Sequence, residues 1–289
     1  MACNLCGSQN FRVFLKGTAS RKYFLSATSQ EYVGGQIVRC SRCGLVYRHS
    51  IPPAAILERE YSRHAETAYL ESQKERSRSF ARSLLEIKKY MPSGKLLDVG
   101  SAAGLFLNEA KKVGFEVLGV EPNKYLANYA HKTFSLKVYQ KTFDKFDIPE
   151  RSIDIVTFWD VLEHLPNPLA ALRKTHRILA RGGVAVINYP DINSLPARLL
   201  GRHWWFVISG HLYYFTPQTI SKMLREAGFK VIRDKRHFQI LSLSYLFTRL
   251  GRYSKNVGSK LSLFSKKLGI GNLAICYWAG QRTVIAGKD

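Results

Sequence analysis

Four of the five cysteines in this 289-residue chain stand as two C-x-x-C pairs, Cys3/Cys6 and Cys40/Cys43, each followed by glycine. A C-x-x-C turn lets two thiolates converge on one ion, and two such turns supply the four sulfurs of a tetrahedral site. Because protein ligands fill every position, the ion expected there is a structural Zn2+ that holds a fold and does no chemistry. A disulfide or redox pair fits less well. No secretory signal precedes the first pair, so a reducing compartment is expected, and a redox motif needs one pair rather than two. Cys276 is left over and is expected to be a core thiol.

A second cluster of chemistry lies in Leu97-Asp98-Val99-Gly100-Ser101-Ala102-Ala103-Gly104, a glycine-bearing turn between an apolar run and a helical segment. The unpaired N–H groups at such a helix start attract a carboxylate or phosphate. Some 20 residues later Val120-Glu121-Pro122-Asn123 places an acid where it can accept both hydroxyls of a ribose. A nicotinamide dinucleotide would need glycine at 102 and 105, where the chain has Ala102 and Leu105, so the pyrophosphate would lose its close backbone approach.

These residues need a scaffold, and the pattern from Lys95 onward supplies it. Short apolar runs at 95–99, 116–120, 137–140, 153–158, 183–188, 230–233 and 281–286 alternate with amphipathic helical segments at 104–113, 123–133, 168–180 and 217–227. This is the signature of βαβ units, and it predicts an α/β, Rossmann-like, doubly wound and mostly parallel seven-stranded sheet. The expected organisation is a small N-terminal four-cysteine zinc ribbon at 1–51, a helical connector at 52–91 with one or two helices in 54–90, and the sheet domain at 92–289. Tyr32 to Val38 reads as a turn into a strand of the ribbon.

The D-x-G-x-x-x-G turn with an acid ending the second strand resembles class I S-adenosylmethionine-dependent methyltransferases. Further stretches match in order: Ser152-Ile153-Asp154-Ile155-Val156, Trp159-Asp160-Val161-Leu162-Glu163-His164-Leu165, Leu179-Ala180-Arg181-Gly182-Gly183, His211-Leu212-Tyr213-Tyr214-Phe215-Thr216-Pro217 and Leu224-Arg225-Glu226-Ala227-Gly228-Phe229. The family usually has glycine where this chain has Ala102. The resemblance implies S-adenosyl-L-methionine as cofactor. Asp98, Gly100, Ala102 and Gly104 would shape the methionine end, Glu121 would hold the ribose, Phe143 would lie by the adenine, and Trp159 and Asp160 by the methionine moiety. Phe143 fits a core position equally well.

A hydroxyl acceptor must lose a proton during transfer. His164 and His211, with Tyr213 beside the latter, are the candidate catalytic groups; the other histidines lack supporting context. An exocyclic-amine acceptor is disfavoured, since Trp159-Asp160-Val161-Leu162 replaces the stacked amine slot of such enzymes. With its N-terminal ribbon the chain resembles bacterial methyltransferases of sugars, surface polysaccharides and specialised metabolites. The deoxysugar C-methyltransferases share such a ribbon but add a third, C-terminal domain that is not expected within these 289 residues, so that exact activity is disfavoured. O-methylation of a small-molecule, sugar or glycan acceptor is the favoured reading. An RNA methyltransferase, or a non-catalytic cofactor-binding protein, is the alternative.

The charge supports a surface role for one segment. The chain carries 44 Lys+Arg against 21 Asp+Glu, a net +23, and residues 235–288 hold ten cations and no acid. Basic balance of this kind suits an anionic partner or serves solubility alone. Residues 195–215, with Arg198, Arg202, His203, Trp204, Trp205 and Phe206, are expected to form either a lid or packing over the sheet edge. Within 238–275, Val257, Leu261, Phe264 and Leu268 recur at helical spacing among lysines and arginines. Such a helix lies at an anionic membrane surface, packs on the sheet or pairs with another subunit. No apolar run is long enough to span a bilayer, so a cytoplasmic protein, with peripheral contact at the inner membrane face, is expected.

Overall fold

The computed structural model describes residues 2–17, 35–53, 56–57, 70, 73–250 and 255–289. Three short antiparallel strands open it: β1 (Phe11–Leu15), β2 (Ile37–Cys40) and β3 (Val46–Arg48). Then follow α1 (Gln73–Ile87), β4 (Lys95–Val99), α2 (Leu105–Lys112), β5 (Glu116–Val120), α3 (Lys124–Phe134), β6 (Val138–Tyr139), β7 (Ile153–Trp159), α4 (Pro168–Ile178) and β8 (Leu179–Pro190). The remainder comprises α5 (Leu195–Leu200), β9 (Tyr213–Tyr214), α6 (Pro217–Glu226), β10 (Lys230–Arg236), β11 (Gln239–Ser242), α7 (Leu243–Leu250), α8 (Lys255–Lys267), β12 (Ala274–Tyr277) and β13 (Gln281–Gly287).

The central sheet has seven strands in the order β10-β13-β8-β7-β4-β5-β6. Strands β8 to β6 are parallel, and β13 runs antiparallel to both its neighbours. Apolar runs such as Leu96-Leu97 suit strands buried on both faces. Leu97, Val99, Val156 and Phe158 pack with Leu172 of α4 and Ile220 and Leu224 of α6. Leu96, Ile155 and Val186 pack on the other face with Leu84 of α1 and Phe106 and Ala110 of α2. Helices α3, α4 and α6 start where Asn123, Asn167 and Thr216 accept from main-chain N–H groups of the first turn.

The outcome departs from the sequence in several places. The helix expected over 168–180 stops at Ile178, because Leu179 is fully buried and pairs with Ile153 at the start of β8. The ribbon is not a separate unit. Its open edge, β3, pairs with β9 through Val46↔Tyr214 and Tyr47↔Tyr213, giving a four-stranded sheet β1-β2-β3-β9. Cys3, Leu5, Leu45 and Tyr47 accordingly share one core with Leu212, Tyr213 and Phe215. In segment 195–215, where the sequence leaves both a lid and packing over the sheet edge open, Trp204 is buried and its indole Nε1 donates to the Ala279 carbonyl at 2.9 Å, while Arg198, Arg202 and His203 face solvent. Cys276 is exposed, since one side of the short β11–β12 pair is open to solvent. Of the helices expected in 54–90, residues 54–55, 58–69 and 71–72 lie outside the described residues, as do Tyr32 to Gly34 of the expected ribbon strand.

Candidate active site

A cavity of about 860 Å³ opens at the carboxyl ends of β4, β5, β7 and β8, where ligands of doubly wound sheets bind. Its first wall is a single stretch of main chain. After β4, Gly100 N and Ser101 N both donate to the Val120 carbonyl, at 2.8 and 3.2 Å, closing the turn over β5. Gly100 has φ +69°, and a Cβ there would lie 2.6 Å from Val161 Cγ2. Gly104 has φ +75°, and a Cβ would meet Ala130 Cβ at 2.8 Å. Gly104 thus serves the packing of α2 on α3, and it does not line the cavity. Ala102 adopts φ +46°, a strained conformation of the kind that persists at ligand sites.

Glu121 is buried, and its carboxylate is gripped from both ends of this wall: Ala102 N donates to Oε2 at 2.9 Å and Asn123 N to Oε1 at 2.8 Å. Asp98 is buried beneath the turn. Burial pushes its carboxyl up to about 8, the Thr157 hydroxyl that donates to it at 2.6 Å pulls the other way, and nearby Glu121 raises it further. A cationic ligand would restore its carboxylate form. Phe143 also lines the cavity. Its ring is buried edge-to-face on Phe158 at 5.9 Å, with Lys174 Nζ 4.9 Å over it.

The opposite wall is assembled from distant segments. Trp159 sits among Phe106 at 4.9 Å, Phe80 at 5.6 Å and His237 at 5.8 Å. Asp160, at φ +55°, is held by Gln281 Nε2 and Asn188 Nδ2, which donate to its Oδ1 at 2.6 and 3.2 Å. His164 and His211 meet edge to face with ring centroids 4.5 Å apart, and both line the cavity. The Nδ1–H of His164 donates to the Gly210 carbonyl at 2.9 Å, which makes Nε2 the acceptor nitrogen of the ring. Burial lowers His164 to about 4, so the ring is neutral at pH 7. Glu163 beside them is buried, and neither of its carboxyl oxygens has a hydrogen-bond partner among the described residues. Burial, with Asp160 nearby, raises its pKa well above the usual range.

The ribbon braces this wall. The Arg48 guanidinium donates to the Ser209 carbonyl, and Arg48 N donates to Leu212 O at 2.9 Å. Leu212 N in turn donates to Glu163 O at 2.9 Å. Tyr213, expected beside the reacting groups, instead faces the ribbon. It is 1% exposed, its hydroxyl donates to the Pro166 carbonyl at 3.0 Å, and it takes no part in lining the cavity. Pairing of β9 with β3 turns it that way.

The family model of a methyltransferase domain matches residues 70–234, more than half of the chain. The chain belongs to this methyltransferase family. A ubiquinone biosynthesis O-methyltransferase of Ruegeria pomeroyi is 27% identical over 163 residues, spanning 52% of this chain and 65% of that enzyme. The match therefore covers just under two thirds of that relative's length. Among solved structures, an S-adenosylmethionine-dependent methyltransferase from Archaeoglobus fulgidus aligns over 77% of this chain and 100% of its own, with TM-score 0.55 and 20% identity. A Thermotoga maritima methyltransferase, titled a possible histamine N-methyltransferase, aligns over 75% of this chain and 91% of its own, with TM-score 0.51 and 19% identity. These two likenesses concern the fold.

The methyltransferase fold implies S-adenosyl-L-methionine as cofactor, and the cavity lining suits a polar ligand. Ser101 Oγ and Trp159 Nε1 are both buried in its lining without a hydrogen-bond partner among the described residues, as expected where a polar ligand completes the site. At the far side of the ribbon, Cys3 Sγ lies 3.5 Å from Cys43 Sγ and Cys6 Sγ 3.6 Å from Cys40 Sγ, with all four sulfurs within 4.8 Å of one another. A tetrahedron with metal–sulfur bonds of about 2.3 Å has edges of about 3.8 Å, so the donor set suits one ion.

Sequence reading missed His237, Asn188 and Lys174 on the cavity wall of this methyltransferase. Asn188 carries a usable signal, being an amide in the otherwise apolar run Val184-Ala185-Val186-Ile187. His237 carries none, because only the fold brings it to Trp159.

Proposed function

We propose that the protein binds S-adenosyl-L-methionine in this cavity and transfers its methyl group to a hydroxyl of a small-molecule, sugar or glycan acceptor, free or carried on a lipid. The observation that carries this reading is the His164–His211 pair, which faces the same cavity as the Glu121-gripped turn. Glu121 is oriented by two main-chain donors to accept the ribose hydroxyls. Asp98 and the Gly100–Ala102 turn would hold the methionine end, Phe143 would lie by the adenine, and Trp159 and Asp160 by the methionine moiety. Bound there, the cofactor supplies a methyl group already activated on a sulfonium, so alignment by these walls contributes much of the rate.

His211 would accept the proton that the acceptor hydroxyl loses on methylation. His164 keeps its proton on Nδ1 and orients its neighbour. The name of the Ruegeria pomeroyi relative, an O-methyltransferase, supports oxygen as the acceptor atom. Cys3, Cys6, Cys40 and Cys43 hold a structural Zn2+.

The test is a screen with methyl-labelled cofactor against small-molecule, glycan, lipid and RNA fractions. Label is expected in the small-molecule or glycan fractions, or in lipid carrying a glycan. It should disappear in His211→Asn while calorimetric cofactor binding persists. Label confined to RNA would replace this acceptor assignment with RNA methylation.

A further inference from the structure

Strand β11 contributes Gln239, Ile240 and Leu241 to the cavity wall, and the chain then leaves the sheet domain as α7 and α8 before returning through β12. Helix α8 packs against α7. The spacing of Leu261, Phe264 and Leu268 would normally mark the inward face of such a helix. The structure turns it the other way. Among the side chains described, Gly258, Ser262 and Ser265 are the buried positions, with Ser265 only 1% exposed, whereas Phe264 is 60%, Leu263 57% and Leu268 56% exposed. Ile270 and Leu273, in the turn that follows, are exposed as well. Among the described side chains, small residues thus seat the helix, and Leu261, Leu263, Phe264 and Leu268 point away from the protein.

A cluster of this kind marks a contact surface. Its charge says which. Lys260, Lys266 and Lys267 are exposed on the same helix, and no acid occurs anywhere between residues 235 and 288. A second copy of this surface would bring cations against cations. A bilayer rich in anionic phospholipid offers phosphates to the lysines and an acyl boundary to Phe264, Leu263 and Leu268. We propose that α8 and the turn after it dock on an anionic membrane surface. The cavity wall formed by β11 is then joined to the lipid by one helical hairpin, and an acceptor anchored in the bilayer can be methylated there. Only this last consequence rests on the acceptor reading above.

The experiment is co-sedimentation of the full chain with vesicles of phosphatidylglycerol and phosphatidylcholine, against vesicles of phosphatidylcholine alone. Pelleting is expected with the anionic vesicles only, and raising salt from about 0.1 to about 0.5 M should cut the bound fraction about tenfold. Lys260→Glu/Lys266→Glu/Lys267→Glu should abolish it, and Phe264→Ser/Leu268→Ser should lower affinity about tenfold. Cofactor binding, followed by calorimetry, should be unchanged in both variants, which confirms that they fold. Absence of pelleting, pelleting insensitive to the lysine changes, or a wild-type dimer that Phe264→Ser/Leu268→Ser converts to monomer without any vesicle binding would overturn the proposal. Since pelleting does not depend on methyl transfer, such a failure leaves the acceptor assignment intact.

Discussion

The two walls of the cavity are built on opposite plans. The wall that carries Asp98, Gly100, Ala102 and Glu121 comes from one stretch, residues 98–123, and its key contacts are main-chain N–H groups donating to a carbonyl or to Glu121. The wall that carries His164 and His211 draws on residues 159–164, 206–211 and 237–241, with the ribbon holding the middle segment from behind. Main-chain recognition suits a ligand that never changes. A wall of side chains on separately supported segments lets the second ligand vary while the first is kept.

If this contrast is right, damage to the ribbon should spare one wall and spoil the other. In Cys40→Ser/Cys43→Ser, metal analysis should fall from near one ion per chain to near zero. Methyl transfer should drop by about 100-fold, while calorimetric cofactor affinity changes by no more than about threefold. Equal loss of both would show that the walls are not independent.

The reverse experiment uses Glu121→Ala, which removes the carboxylate that both main-chain donors grip. Its cofactor affinity should weaken about tenfold or more, a cost of roughly 1.5–3 kcal/mol. Metal content should stay unchanged.

A finer probe is Arg48→Met, which keeps much of the side-chain bulk but loses the bond to Ser209 O. It should lower kcat about three- to tenfold with cofactor affinity within about twofold, because the carbonyl of Ser209, two residues from His211, loses the guanidinium donor that holds it. Steady-state kinetics separate these effects, and a change confined to cofactor binding would count against the bracing role.

Titration of Asp98 adds a pH dependence. Asp98 has a folded pKa of about 8, raised by burial above the ordinary carboxyl value. A group raised on folding contributes stability that is full below its unfolded pKa, about 3.9, and is lost as pH climbs through the folded one. The Tm of the cofactor-free protein should therefore fall as pH rises from about 5 to about 9, and the slope should be shallower in Asp98→Asn. An identical slope in that variant would remove Asp98 as its source.

The same contrast explains what could be read from the chain. The first wall was legible because its elements are contiguous: an apolar run, a glycine turn and an acid some 20 residues later determine the local path. The strands around them were legible too, since burial on both faces demands continuous apolar runs. Tyr213 was not. Its direction is decided by β3, some 165 residues earlier, and a two-residue strand recruited from a distant edge leaves no periodic signal. His237 follows β10 and Trp159 ends β7, three strands away in the sheet order, so only the assembled fold brings them together. Helix α8 is the reverse case: helical spacing groups Leu261, Phe264 and Leu268 but says nothing about which side the rest of the molecule occupies, and the structure leaves all three exposed.

The hydrogen bonds between β3 and β9 also bear on how such chains can be recombined. A cysteine-rich leader looks like a cassette that could be exchanged between relatives. Here one of its strands is a sheet partner of the segment that presents His211, so a graft cut at residue 51 would pair a foreign β3 with a native β9 and mis-seat the histidine loop. A working chimera must move residues 1–51 and 206–215 together, and acceptor preference should be inherited with that pair.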